Sequence, residues 1–158
     1  MKIYLKIGIV IAALLIQLTL INLFTIQGLK PDLILLVVIV FSLLQGVEEG
    51  TISGFASGLL QDIFSTGLLG INALTKTIIG FICGIVKVKI FDEHLLFVIP
   101  VITLIISIVQ SILIFLILRA FEIEYSFAWS LKQVALPEAL YNSLLSPFIF
   151  LAVKRILK

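Results

Sequence analysis

Charge is scarce in this chain. Only 13% of its 158 residues are charged and 61% are hydrophobic, whereas a soluble domain carries about a quarter charged residues. Together with a mean hydropathy of +1.31, this excludes a soluble globular domain and leaves an integral membrane protein with little outside the bilayer. Cysteine is nearly absent as well. The single Cys83 sits in an apolar run, so no intrachain disulfide can form and no cysteine-based metal cluster is available. It reads as a small packing residue. The one histidine, His94, falls in a polar loop. No Ser/His/Asp set, Cys/His set, HExxH or phosphate-cradling glycine loop is present. We therefore expect no enzyme, and no catalytic, cofactor-binding or metal-binding residues. A net charge of +2 points to no nucleic-acid partner. Long internal repeats, low-complexity segments and heptads are also missing.

What is there is a succession of apolar runs, and they divide the chain into one domain of six spans. These cover about 3–24, 32–45, 50–64, 68–86, 95–118 and 137–154, with a short interfacial helix over 126–136 that carries Trp129 and Lys132. The first run follows Lys2 and Lys6 as a signal peptide would. It continues to about Leu20 without a small-x-small cleavage site, so it reads as a retained span. Pro31 and Asp32 suit a helix start, and Glu48-Glu49 reads as a water-exposed turn. Spans 2 and 3 are short, the latter about 22 Å at about 1.5 Å per residue. We expect both to be surrounded by other helices or by thinned lipid. Lys2, Lys6, Lys87, Lys89, Lys154, Arg155 and Lys158 fall on one side, and Lys30, Arg119 and Lys132 on the other. The excess predicts both termini in the cytoplasm.

The stretch from Gly50 to Gly84 carries the strongest pattern. Gly50, Gly54, Gly58 and Asp62 recur every four residues, beside Ser53, Ser57, Gln61 and Ser65, and Asn72, Lys76, Gly80 and Gly84 repeat the spacing after a break at Ser65-Thr66-Gly67. Residues i and i+4 are neighbours on a helix face, and small residues let helix backbones approach closely in lipid. Gly50, Gly54, Gly58, Gly80 and Gly84 are thus candidates for helix packing between spans 3 and 4, or for docking a partner's helix.

Ionisable groups inside apolar spans cost on the order of 3 kcal/mol each at mid-bilayer. Counted from the turn near Thr66, Asp62 and Lys76 lie roughly 6 and 15 Å deep. Lysine leans toward its helix N-terminus, here toward Asp62 and Asn72. Glu138 and Asn142 begin span 6 in the same outer half. The spacing predicts one polar cluster of Gln61, Asp62, Asn72, Lys76, Glu138 and Asn142. That cluster could be an ion-pair knot fixing the helices, the lining of a substrate cavity, or a receptor for a partner's segment. An intramembrane protease would need Asp62 and Glu138, or Asp62 and Lys76, in contact around a water.

Three segments resemble the rod shape-determining protein MreD family: LKPDLILLVVIVFSLL, GFASGLLQDIFSTGLLGINAL and LPEALYNSLLSPFIFLAVKR. The most specific is GLLQD-x5-LLG-x-NAL, from Gly58 to Leu74, followed by the proline-flanked stretch from Pro137 to Pro147. The resemblance implies a non-enzymatic, multi-pass protein of the bacterial plasma membrane that acts as a scaffold in cell elongation. It implies association with an MreC-like single-span periplasmic partner and work with MreB filaments, with the RodA glycosyltransferase and with its class B penicillin-binding protein. This chain departs in having few basic loop residues beyond Lys87 and Lys89, which points to an indirect link to MreB. It also implies an all-α membrane fold similar to the S components of energy-coupling-factor transporters. That likeness keeps a second reading open, a vitamin-type substrate-binding component of a transporter, with Tyr125, Trp129 and Tyr141 as candidate lining.

Overall fold

The computed structural model describes residues 3–19, 30–65, 67–87, 95–123 and 126–157. Among them every regular element is helical: α1 (Ile3–Thr19), α2 (Leu33–Gln45), α3 (Val47–Phe64), α4 (Ile71–Lys87), α5 (Leu95–Ala120), α6 (Phe127–Ser130) and α7 (Leu136–Leu157), with a π-helical segment, Leu131–Ala135, joining the last two. Leu96–Ala120, with mean hydropathy 2.9, and the continuous Phe127–Leu157, with 1.3, are each long and apolar enough to cross a membrane. The outer end of the first expected span and the His94 loop lie outside the described residues.

The bundle is built around α2. Every residue from Leu33 to Leu43 is buried, the state expected of a helix that is apolar on all sides. Its 13 residues reach only about 20 Å, and α1, α3, α4, α5 and α7 all pack on it. Of the two short spans, α2 is surrounded by other helices, whereas α3 packs on α2 and α4 and leaves one face outward. On α3 the buried residues are Gly50, Gly54, Ser57, Gly58 and Asp62, while Ile52, Phe55, Ile63 and Phe64 face outward. The helix is also longer than expected. Glu48 and Glu49 belong to its first turn, where acidic side chains face the positive end of the helix dipole. The turn itself is Gly46 alone, at φ 103, a left-handed backbone that glycine adopts without a Cβ clash. Lys87 reaches the end of α2 and donates to the Leu44 carbonyl at 2.6 Å, which satisfies one of its unpaired terminal acceptors.

Helices α3 and α4 form an antiparallel hairpin whose backbones touch. A Cβ at Gly50 would overlap the Gly80 carbonyl, at Gly54 that of Lys76, at Gly58 that of Asn72, at Gly80 that of Gly50, and at Gly84 the Val47 backbone. All five glycines of the two rows face the opposite helix of this hairpin. Contact this close brings Cα–H groups against carbonyl oxygens, a weak favourable interaction that larger residues would abolish.

Helices α5 and α7 form the second hairpin, and their prolines are accommodated in distinct ways. Pro147 cannot donate to the carbonyl of Ser143. The Ser146 hydroxyl donates to that carbonyl instead, at 2.8 Å. Ser143 in turn donates to the Pro100 carbonyl across the hairpin at 2.8 Å. The expected interfacial helix and last span are continuous in the structure, as one helix over Phe127–Leu157 that runs through Pro137. The wider π-helical turn at Leu131–Ala135 relieves the clash that a proline ring makes with the carbonyl four residues earlier.

Gly80→Ala is expected to lower stability by about 2 kcal/mol or more, as overpacking against rigid backbone does. Gly8→Ala, where a Cβ meets nothing within 4 Å, is expected to be neutral or slightly stabilising. Thermal unfolding of the two variants in detergent would show the contrast, and equal melting temperatures would refute the close-packed hairpin.

Candidate functional site

The start of α2 is the polar centre of the molecule. Asp32 is its N-cap and accepts the Leu35 N–H on Oδ1 at 2.9 Å, while Gln17 from α1 accepts the neighbouring Ile34 N–H at 3.2 Å. Two orphan donors at the helix N-terminus are thereby satisfied. The other carboxylate oxygen of Asp32 accepts from Lys76 Nζ of α4 at 2.7 Å and from Gln110 Nε2 of α5 at 3.1 Å. The Asp32 backbone N–H donates to Asn142 Oδ1 of α7 at 2.9 Å, and Asn142 Nδ2 donates to Ser107 Oγ of α5 at 3.2 Å. The lysine side chain is fully buried and the aspartate side chain is 7% exposed. In hydrocarbon such a pair exists only because each charge has its counter-charge and further hydrogen bonds.

A second carboxylate closes the α3–α4 turn. Asp62 Oδ2 accepts the backbone N–H groups of Gly70 and Ala73 at 3.0 and 2.9 Å. Its Oδ1 accepts the backbone N–H and the side-chain amide of Asn72 at 3.1 and 2.9 Å. Negative charge at a helix N-terminus is favoured both by the free N–H groups and by the dipole. Asn72 then links the two carboxylates, because its Oδ1 accepts from Lys76 Nζ at 3.0 Å.

Of the residues expected to cluster, Asp62, Asn72, Lys76 and Asn142 are joined in one hydrogen-bonded chain through Asp32. Gln61 and Glu138 are not joined to it. The Oε1 of Gln61 is buried without a partner among the described residues. Glu138 is partly buried and lies within electrostatic reach of Asp32 and Lys76, yet makes no hydrogen bond or ion pair among the described residues. Lys76 reaches Asn72 on the side toward which it was expected to lean, its counter-charge is Asp32, and Asp62 is committed to the α4 N-terminus. Asn72 lies between Lys76 and Asp62, accepting from Lys76 Nζ and donating to Asp62 Oδ1, while Asp32 of α2 lies 2.7 Å from Lys76 Nζ.

The sequence reading missed Asp32, Gln17, Ser107 and Gln110 as members. From the sequence Asp32 reads only as a helix start. The available signal is its place before an unbroken apolar run, where burial of the helix start would leave its carboxylate in need of a cation. For Ser107 and Gln110 the signal was a polar row inside the longest apolar span.

Chemically the site is closed. Both oxygens of Asp62 are engaged by backbone amides, and Lys76 is engaged by Asp32 and Asn72, so neither pairing that a protease would need is formed. Apart from this cluster, a cavity between α5 and the π-helical segment, beside Ser111, Phe115, Phe127 and Ala135, measures about 10 Å³, room for one water. Among the described residues no group of three or more His, Cys, Asp or Glu could hold a metal ion.

An all-helical bundle with apolar spanning helices, a central buried helix and a buried ion pair defines a helical membrane protein whose polar residues hold its helices together. Comparison with protein families then specifies which. The family described as rod shape-determining protein MreD matches residues 1–157, so the chain belongs to that family, and a role in rod-shape determination follows from the membership. This is a shape-determining family and not a known enzyme family. Comparisons with curated proteins and with solved structures give no match.

Breaking the pair from one side is expected to cost about 3–5 kcal/mol, because the remaining charge is left buried and alone. Asp32→Asn retains a capping oxygen for the α2 N-terminus, so it isolates the charge. Lys76→Met combined with Asp32→Asn is expected to be more stable than Lys76→Met alone, a coupling that a double-mutant cycle of detergent unfolding would measure. Strict additivity would show that the two charges do not stabilise one another.

Proposed function

We propose that the protein is a non-enzymatic scaffold subunit of the bacterial cell-elongation complex. It spans the plasma membrane several times with both termini in the cytoplasm, and its bundle holds the transmembrane helix of an MreC-like partner. Through that partner it supports lateral peptidoglycan synthesis by the RodA glycosyltransferase and a class B penicillin-binding protein, with MreB filaments linked indirectly. The observation that carries this reading is the family match over residues 1–157. The closed polar centre agrees with it, since the charged groups there are spent on holding the bundle's own helices.

The partner's helix docks on the outside of the bundle, because the glycine rows face each other within the α3–α4 hairpin. The intramembrane face of glycines expected from the sequence is therefore not open to a partner. Gly54→Leu lowers partner recovery only as far as it lowers the amount of folded protein.

The transporter reading shares the membrane fold, but no specific observation favours it. Trp129 is 57% exposed, Tyr125 lies outside the described residues, and Asp32, Asp62, Asn72, Lys76 and Asn142 are engaged with one another or with backbone groups.

Depletion of the protein in growing cells tests the proposal. Rods are expected to round up and to recover their shape on re-expression, and a Lys76→Met protein made at normal level is expected to restore shape poorly. Normal rod shape accompanied by a requirement for an external vitamin would refute the scaffold and support transport.

A further inference from the structure

One surface feature is used neither by the polar centre nor by the hairpins. Helices α1 and α3 both lean on α2 and leave between them a lateral groove of about 700 Å³. Ile7 and Ile11 form one wall, Ile52 and Ala56 the other, and Phe41 of α2 the floor. The walls are open to the surrounding membrane, with Ile7 and Ile52 51% and 60% exposed. Lys6 and Glu49, paired with each other, lie near one end, where Glu49 is the first lining residue of α3 and only Ile3 lies beyond Lys6 on α1. The lining stops at Ile11 and Leu60, although α1 continues to Thr19 and α3 to Phe64.

We infer that this groove is a binding site for one phospholipid with a primary-amine zwitterionic headgroup, of the phosphatidylethanolamine type, with an acyl chain lying along α3. Length is the first argument. From Glu49 to Leu60 the groove runs about 16 Å at about 1.5 Å per residue, which matches one leaflet, about half of a 30 Å hydrocarbon core. A spanning helix from another protein would need the full thickness and so a groove about twice as long. Charge is the second argument. Lys6 and Glu49 place a cation and an anion side by side where the acyl slot meets the headgroup layer. A phosphate faces the ammonium of Lys6 and an ethanolamine ammonium faces the carboxylate of Glu49, which keeps 45% of its side chain exposed and so can accept a second cation. Quaternary choline has no N–H to donate, and a glycerol headgroup has no cation, so each matches half of this pair at best.

The site goes beyond the scaffold role and does not depend on it, since lipid retention is read on the purified protein and cell shape in the cell. The test is native mass spectrometry of the full chain exchanged into detergent with equal amounts of phosphatidylethanolamine, phosphatidylcholine and phosphatidylglycerol of identical chains. One phosphatidylethanolamine is expected to be retained over the other two by about tenfold, the effect of one charge-assisted hydrogen bond. Glu49→Gln is expected to erase the preference over phosphatidylcholine. Ala56→Leu from one wall and Ile11→Trp from the other are each expected to remove the retained lipid, with unfolding in detergent confirming that the variant is folded. Equal retention of the three lipids, or retention unchanged in both wall variants, overturns the inference. So does loss of a co-purifying partner helix in the wall variants with lipid retention intact, which would assign the groove to a protein.

Discussion

The ion pair between Asp32 and Lys76 is the constraint that the rest of the bundle obeys. In water such a pair contributes little. Between apolar helices neither charge can be left alone, so the positions of α2 and α4 are fixed relative to each other by the need to keep 2.7 Å between Nζ and Oδ2. Asp32 makes this requirement reach further, because the same carboxylate caps α2 and accepts from Gln110 of α5, and its backbone N–H is held by Asn142 of α7. Displacing any of these helices would leave an unsatisfied polar group in a medium with no water to replace the lost partner.

The glycine rows and the ion pair are two parts of one arrangement. Close approach of α3 and α4 puts the Gly54 position against the carbonyl of Lys76 and the Gly58 position against that of Asn72. Asp62, one turn beyond Gly58, then comes within reach of the α4 N-terminus, and Asn72 is oriented by that carboxylate so that its own oxygen faces Lys76. A bulkier α3 would push α4 outward and pull Lys76 away from Asp32. The small residues therefore act on the electrostatics through distance, though none of them carries a charge.

Much of this was legible in the sequence where a pattern is local. Four-residue glycine spacing marked the α3–α4 contact, and the lean of a lysine toward its helix N-terminus directed Lys76 toward Asn72 and Asp62. What was not legible depended on three-dimensional choice between equivalent partners. Asp32 and Asp62 are both carboxylates at helix ends that could serve as the counter-charge of a buried lysine. Only the packing of α2 at the centre decides that Asp62 caps α4 while Asp32 neutralises Lys76. The run through Pro137 was illegible for a related reason, since a proline reads as a helix start unless a π-helical turn has already made room for its ring. The length of α3 was misread because Glu48 and Glu49 look like a turn, whereas acidic residues in a first helical turn answer the dipole.

A bundle fastened in this way divides labour between inside and outside. Its interior has little freedom to respond at Asp32, Lys76, Asn72 and Asp62, because these groups satisfy one another, and a change of state there would require breaking several hydrogen bonds together. Its exterior is almost uniformly apolar, with large side chains such as Phe97, Leu144 and Phe148 turned outward, and such a surface distinguishes poorly between lipid and a neighbouring helix. Selectivity on that exterior must come from shape and from the few charges placed at its ends. The groove between α1 and α3 has both, a bounded length and the Lys6–Glu49 pair at one end, and the rigid centre behind it keeps α2 in place as its floor.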